Sequence, residues 1–205
     1  DHVDELEELL DDLLRAAFKC ESPFSNWVFH AIGINGEHTN PLAKRHYAPD
    51  TLLMMSPFLD ARHVVSIAQK VKKKAWLFSR KTALQDLPKS TFSELTESFC
   101  VSDHVVEAEM QEALGEGYLN ADPALLDLHA KLYISRKGNT STWMLGSANL
   151  TDPAFGRNIE CLIELKTSNG YYRPESIRGE LIGAPEEGGL FVPFWILQYF
   201  VLLVQ

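Results

Sequence analysis

The run TLLMMSPF, from Thr51 to Phe58, is almost unbroken in its apolar character and turns at Ser56-Pro57. A strand with one face in water alternates apolar and polar residues, so an unbroken run predicts a strand covered on both faces. From Arg62 to Lys74, the residues Val64, Val65, Ile67, Ala68 and Val71 recur at helical spacing, and AWLFS from Ala75 repeats the buried-strand pattern. Strand, helix and strand in so short a span predict a βαβ unit, whose right-handed crossover joins parallel strands.

The remaining patterns extend this unit. The segment DELEELLDDLLRAAF places Leu6, Leu9, Leu10, Leu13, Leu14 and Ala17 on one face of an amphipathic helix. Residues 20 to 49 read as loop around one short strand at Trp27-Val28-Phe29. A helix is predicted over DHVVEAEMQEALG, with Asp103 as N-cap and Gly115 near its stop. Three strands are predicted, from His129, Ser141 and Asn158, the first two joined by a hairpin turn over residues 136–140. The fold class expected is α/β, a mixed β-sheet sandwiched between helices.

The chain has 205 residues, a length that suits one domain. We expect residues 1–50 to form an N-terminal helix and loop region, 51–166 a core carrying the motifs below, and 167–205 a C-terminal apolar segment. The tail, LFVPFWILQYFVLLV from Leu190, is shorter than the ~20 apolar residues of a membrane span, so it is expected to be a buried terminal element. A formal charge of −9 excludes a uniformly basic nucleic-acid coat protein. Cys20, Cys100 and Cys161 are odd in number and widely spaced, which predicts buried thiols in a reducing compartment. With no basic segment leading into an apolar run at the N-terminus, no signal peptide is expected, and the location expected is cytoplasmic.

On a strand starting at His129, the residues His129, Lys131 and Tyr133 share one face while Ala130, Leu132 and Ile134 share the other. An imidazole beside a fixed cation suits a group that must hold and attack an anion, although such a pair often marks only a polar surface. Downstream, Gly146-Ser147-Ala148-Asn149 closes an apolar strand: glycine permits close backbone approach, and serine and asparagine supply neutral donors. Glu160 adds a carboxylate to the next strand. There is no G-x-S-x-G elbow, H-E-x-x-H helix or Walker lysine. Lys70, Lys72, Lys73, Lys74, Arg80 and Lys81 form the one dense basic cluster, either a solvated helix end or a track for a polyanion. Trp76 and Phe78 within it are read as core.

Together, His129-Ala-Lys131, Gly146-Ser147-Ala-Asn149 and Glu160 resemble the HKD signature of the phospholipase D superfamily. The stretch Leu52 to Asp60 is similar to the early buried strand and turn of many members, so the resemblance spans about residues 51–166. It implies a phospholipase D-like lobe and a phosphodiesterase needing no metal or other cofactor. One histidine attacks phosphorus to form a phosphohistidine, a second histidine protonates the leaving oxygen, and water reverses the path. It further implies that His129 is nucleophile or acid, that Lys131 and Asn149 hold the phosphoryl oxygens with help from Ser147, and that Glu160 orients a histidine.

Two departures matter. The family's aspartate five residues after the lysine is Arg136 here, which could touch phosphate, and Gly146 lies three residues beyond the usual spacing. The site also needs two H-x-K copies, whereas His30, His38, His46, His63 and His104 have no lysine two residues on. A homodimer or a missing second lobe is therefore expected. The substrate expected is a nucleic acid, with the chain a DNA nuclease of restriction or defence type, because the run from His129 to Glu160 looks more like the nuclease members than the secreted lipases. The charge argues the other way. The alternatives are a phospholipid-directed hydrolase or transferase, and a catalytically silent lobe that dimerises or binds nucleic acid.

Overall fold

A computed structural model describes residues 19–44, 47–102, 105, 128–183 and 189–194. Among them, eight strands form one sheet: β1 (Asn26–Ile32), β2 (Thr51–Met55), β3 (Lys74–Ser79), β4 (Glu97–Val101), β5 (Leu132–Lys137), β6 (Thr140–Gly146), β7 (Glu160–Thr167) and β8 (Phe191–Pro193). Their order across the sheet is β1-β7-β6-β5-β2-β3-β4-β8. Strands β2, β3 and β4 are parallel, and every other pairing is antiparallel. The described helices are α1 (Ala61–Ala68), α2 (Lys81–Gln85), α3 (Asp152–Gly156) and α4 (Pro174–Ile182).

The run from Thr51 is central because both of its faces meet apolar layers. Leu52 and Met54 join one core with Val64, Ile67 and Ala68 of α1, while Leu53 and Met55 join a second core against which Ile177, Leu181 and Ile182 of α4 pack. Strand β3 divides in the same way, Ala75 and Leu77 to one side and Trp76 and Phe78 to the other. The result is a mixed α/β sheet with helices on both faces, and the βαβ crossover is present as the parallel β2–β3 pair.

Several boundaries differ from expectation. Helix α1 stops at Ala68, short of Lys74, because the Lys72 and Lys73 backbone N–H groups donate to the Pro49 and Asp50 carbonyls and draw the chain toward β3. The strand expected from His129 begins at Leu132, which leaves His129 and Lys131 on the approach to β5. Tyr133 is not on an exposed chemical face, being 1 % exposed and part of the first core. Of the thiols expected to be buried, only Cys100 is: Cys20 is half-buried and Cys161, on β7 opposite Ala31 of the edge strand, is exposed. Strand β4 and helix α4 carry no signal in the residue pattern. The expected N-terminal helix and the helix over residues 103–115 lie outside the described residues, as does the tail beyond Phe194. At the described start of that tail Phe191 and Phe194 are buried and β8 pairs with β4, whereas Leu190 is exposed and Val192 and Pro193 are half-buried.

The β5–β6 turn forms where expected. Gly138 adopts φ +60°, as a two-residue hairpin requires at its first central position, and its N–H donates to Asp50 Oδ2 at 2.8 Å.

Candidate active site

Strand directions bring the candidate residues to one edge of the sheet. Met55 pairs with Leu132 and with Phe78, Leu132 pairs with Leu145, and Gly146 pairs with Leu162. The ends of β2, β3 and β6 and the beginnings of β5 and β7 therefore share that edge. It lies at the carboxyl ends of the parallel strands, where open α/β sheets bind ligands. His129, Lys131, Ser147, Asn149 and Glu160 all lie there.

Backbone and buried side chains join these legs. The Gly146 N–H donates to the Lys131 carbonyl at 3.3 Å. A Cβ on Gly146 would stand 2.0 Å from the Cys161 carbonyl oxygen, so the β6–β7 approach requires glycine. The Ser147 N–H donates to the Cys161 carbonyl and its Oγ accepts the Cys161 N–H, so Ser147 carries the ladder one step beyond β6. Tyr133 donates its hydroxyl to the Ala148 carbonyl at 2.7 Å. Burial pushes its phenol pKa upward and keeps that donor protonated, an effect partly opposed by the Ser56 hydroxyl.

Ser56 is the buried hub. Its hydroxyl donates to the Phe58 carbonyl at 2.8 Å, lies 3.3 Å from Asn149 Oδ1 and accepts the Leu150 N–H at 3.1 Å. Its carbonyl accepts the Ser79 hydroxyl at 2.7 Å. Ser56 thus sits against the Asn149 amide. Pairing of Leu59 with Leu150 and donation from Asp60 N–H to the Leu150 carbonyl fasten the same loop.

The charges are mixed. Lys131 Nζ donates to the His129 carbonyl at 2.7 Å. Burial and the nearby Arg80 guanidinium lower the Lys131 pKa, while Glu160 pulls it back up. Glu160 accepts a hydrogen bond from Asn158 Nδ2 at 3.1 Å. Arg80, 7 % exposed, donates from Nε to the Leu128 carbonyl, one residue before His129, and its guanidinium covers one face of Phe58. The roles of Ser56, Arg80 and Tyr133 carry no signal in the residue pattern. Ser56-Pro57 read as a strand end and Arg80 as one charge in a cluster, and their partners are distant in sequence.

Two expectations are corrected by position. Lys70, Lys72, Lys73 and Lys74 lie where β2 and β3 begin, the opposite end of the sheet from the site, so only Arg80 and Lys81 of the cluster lie at the site edge. Arg136 also lies at that far end, paired with Thr51, where it donates to Glu175 of α4 and to the Gly138 carbonyl and so cannot reach a phosphate beside His129. Among the described residues, Asp60, His63 and Asp152 have cation-binding spacing, each offering an atom within 4.8 Å of the others. Arg62 and His63 already engage Asp152, and Asp60 accepts the Asp152 N–H, which makes the group a clasp between α1 and α3. No described helix is long and apolar enough to cross a membrane.

No protein-family model matches the chain, and no curated protein is found similar to it. Among solved structures, the chain resembles Nuc from Salmonella typhimurium, a phospholipase D family member, with a TM-score of 0.44, 13 % identity, and 69 % of this chain and 83 % of that one covered. NucT from Helicobacter pylori gives a TM-score of 0.40 and 12 % identity over 68 % of this chain and 86 % of that one. Yeast tyrosyl-DNA phosphodiesterase gives 0.40 and 8 % over 68 % of this chain and 31 % of its own. TM-scores in this range describe a partly shared arrangement of strands and helices and carry nothing about chemistry.

Proposed function

We propose that the chain is a phosphodiester hydrolase that supplies half of a two-histidine site, with DNA as its substrate. One observation carries this reading: the His129-Lys131 leg and the Ser147-Asn149 leg, separate in sequence, meet at one sheet edge and are joined there by Gly146 and Tyr133. In the reaction, a neutral His129 imidazole forms a bond to phosphorus as the ester oxygen departs, and the imidazolium of a second copy gives that oxygen its proton. Water then attacks the phosphohistidine, losing its proton to the second imidazole and regenerating both groups. Lys131 and the Asn149 amide hold the non-bridging oxygens and stabilise the charge that grows on them, so no divalent ion is needed in the step. Glu160 fixes the tautomer of a site histidine. The second His129 comes from a homodimer partner.

The test is hydrolysis of methyl p-nitrophenyl phosphate in excess chelator, wild type against His129→Ala. Turnover is expected to survive the chelator and to be lost in the variant. Activity that persists in His129→Ala, or that the chelator abolishes, overturns the mechanism.

A further inference from the structure

Phe58 is 49 % exposed, in the turn that follows β2 at the site edge. Scattered exposed apolar residues are ordinary, so exposure alone says nothing. What sets this ring apart is how it is held. Its carbonyl accepts the buried Ser56 hydroxyl, the same group that contacts Asn149. On one face, the guanidinium carbon of Arg80 lies 4.8 Å from the ring centroid, and Arg80 is itself buried and bound to the carbonyl before His129. Phe58 is thus tied to both legs of the site, through its backbone carbonyl to Ser56 and through one ring face to Arg80, with about half of the residue exposed.

We propose that Phe58 is a stacking platform for a nucleobase next to the phosphodiester held by His129, Lys131 and Asn149, which makes the substrate an unpaired nucleic-acid strand. This rests on the phosphodiesterase reading and names its substrate. A base stacks on a flat ring whatever its sequence, and a ring already immobilised gives up little freedom when it does so. Arginine covers an aromatic face readily, which fixes the ring's orientation and leaves the other side for the ligand. An acyl chain would instead need a continuous apolar track, and the group that backs this ring is a guanidinium.

The experiment measures binding of the full chain to a fluorescent single-stranded oligothymidylate and to an abasic strand of the same length. Phosphate contacts contribute equally to both, so the difference isolates the bases. Phe58→Ala is expected to weaken oligothymidylate binding by roughly 5- to 100-fold and leave the abasic strand unchanged, with Phe58→Tyr restoring it. An equal loss on both strands, no loss on either, or no binding of oligothymidylate by wild type overturns the proposal. So does a Phe58→Ala loss confined to binding of phosphatidylcholine vesicles, which assigns the ring to lipid. Hydrolysis of methyl p-nitrophenyl phosphate by wild type and His129→Ala separates these outcomes from failure of the phosphodiesterase reading, since loss of that turnover in His129→Ala tests the chemistry without reference to Phe58.

Discussion

The Ser56 hydroxyl lies 3.3 Å from Asn149 Oδ1 and accepts the backbone N–H of Leu150, so one buried group sets both the loop and the amide it carries. Ser56→Ala leaves the Leu150 N–H without its acceptor and the Phe58 carbonyl without its donor, and removes the oxygen against which the Asn149 amide rests, at a cost of about 1–3 kcal/mol in stability. The amide is then free to turn its oxygen toward phosphate, which it repels. On a base-free diester, kcat is expected to fall by roughly 10- to 100-fold with little change in KM. If stability alone changes, Ser56 is structural only.

Gly146 faces the Cys161 carbonyl so closely that even a methyl group must push β6 from β7. Gly146→Ala is expected to destabilise the fold by about 1–3 kcal/mol or more, read from urea melts. Activity should fall with it, because Ser147 hangs from the same pair of strands. An unchanged melt would show that the two strands separate freely.

Lys131 gives up its proton at lower pH than an ordinary lysine, because burial and then Arg80 disfavour the ammonium more than Glu160 favours it. The folded chain therefore binds this proton less tightly than the unfolded one, and any stability cost of the buried charge eases as pH rises. On the alkaline side activity has the opposite sign: it needs the cation, so the Lys131 contribution is lost as pH climbs through the lowered value. Arg80→Gln removes one cause and should move the alkaline limb of kcat/KM upward. A limb that stays in place assigns it to the imidazolium acid and not to Lys131.

If each site takes one His129 from each of two chains, mixed dimers of wild type and His129→Ala are inactive. After equal mixing and subunit exchange, activity should fall to about one quarter of the undiluted value, not one half. Light scattering on the wild type should show a dimer. Linear dilution, or a strict monomer with full activity, refutes the shared site.

Asp50 anchors the β5–β6 hairpin from the far end of the sheet. The Gly138 N–H holds its carboxyl below the usual carboxylate range, partial desolvation opposes this, and Lys73, Lys72 and Arg136 assist. A depressed folded pKa contributes stability above the unfolded pKa that is lost as pH falls through the folded one. Asp50→Asn should therefore lower Tm at neutral pH, with the difference from wild type shrinking under acid conditions. A gap independent of pH would point to lost packing alone.

Much of the scaffold was legible in the residues themselves. The apolar run at Thr51 could only be a strand covered on both faces, Gly138 marked the hairpin, and Gly146 marked a close approach, each through local sterics or periodicity. The start of β5 was not legible, because His129 and Lys131 alternate with apolar residues as strand residues do while their chain has yet to join the sheet. Nor was the end of α1, which Val71 continues in pattern but which the carbonyls of Pro49 and Asp50 cut short.

Direction was the larger gap. Side-chain alternation is the same whichever way a strand runs, so the sequence determined which residues could serve a phosphate but not which end of the sheet each would occupy. Tertiary pairing decided that, with β5 antiparallel to β2 and β3 parallel to it. Thr51 and Met55 are about 13 Å apart along β2, which is enough to put Arg136 and the lysine cluster out of reach of the site. The same pairing brings Ser56, Phe58 and Arg80, distant in sequence from either motif, to the edge where His129 and Asn149 stand.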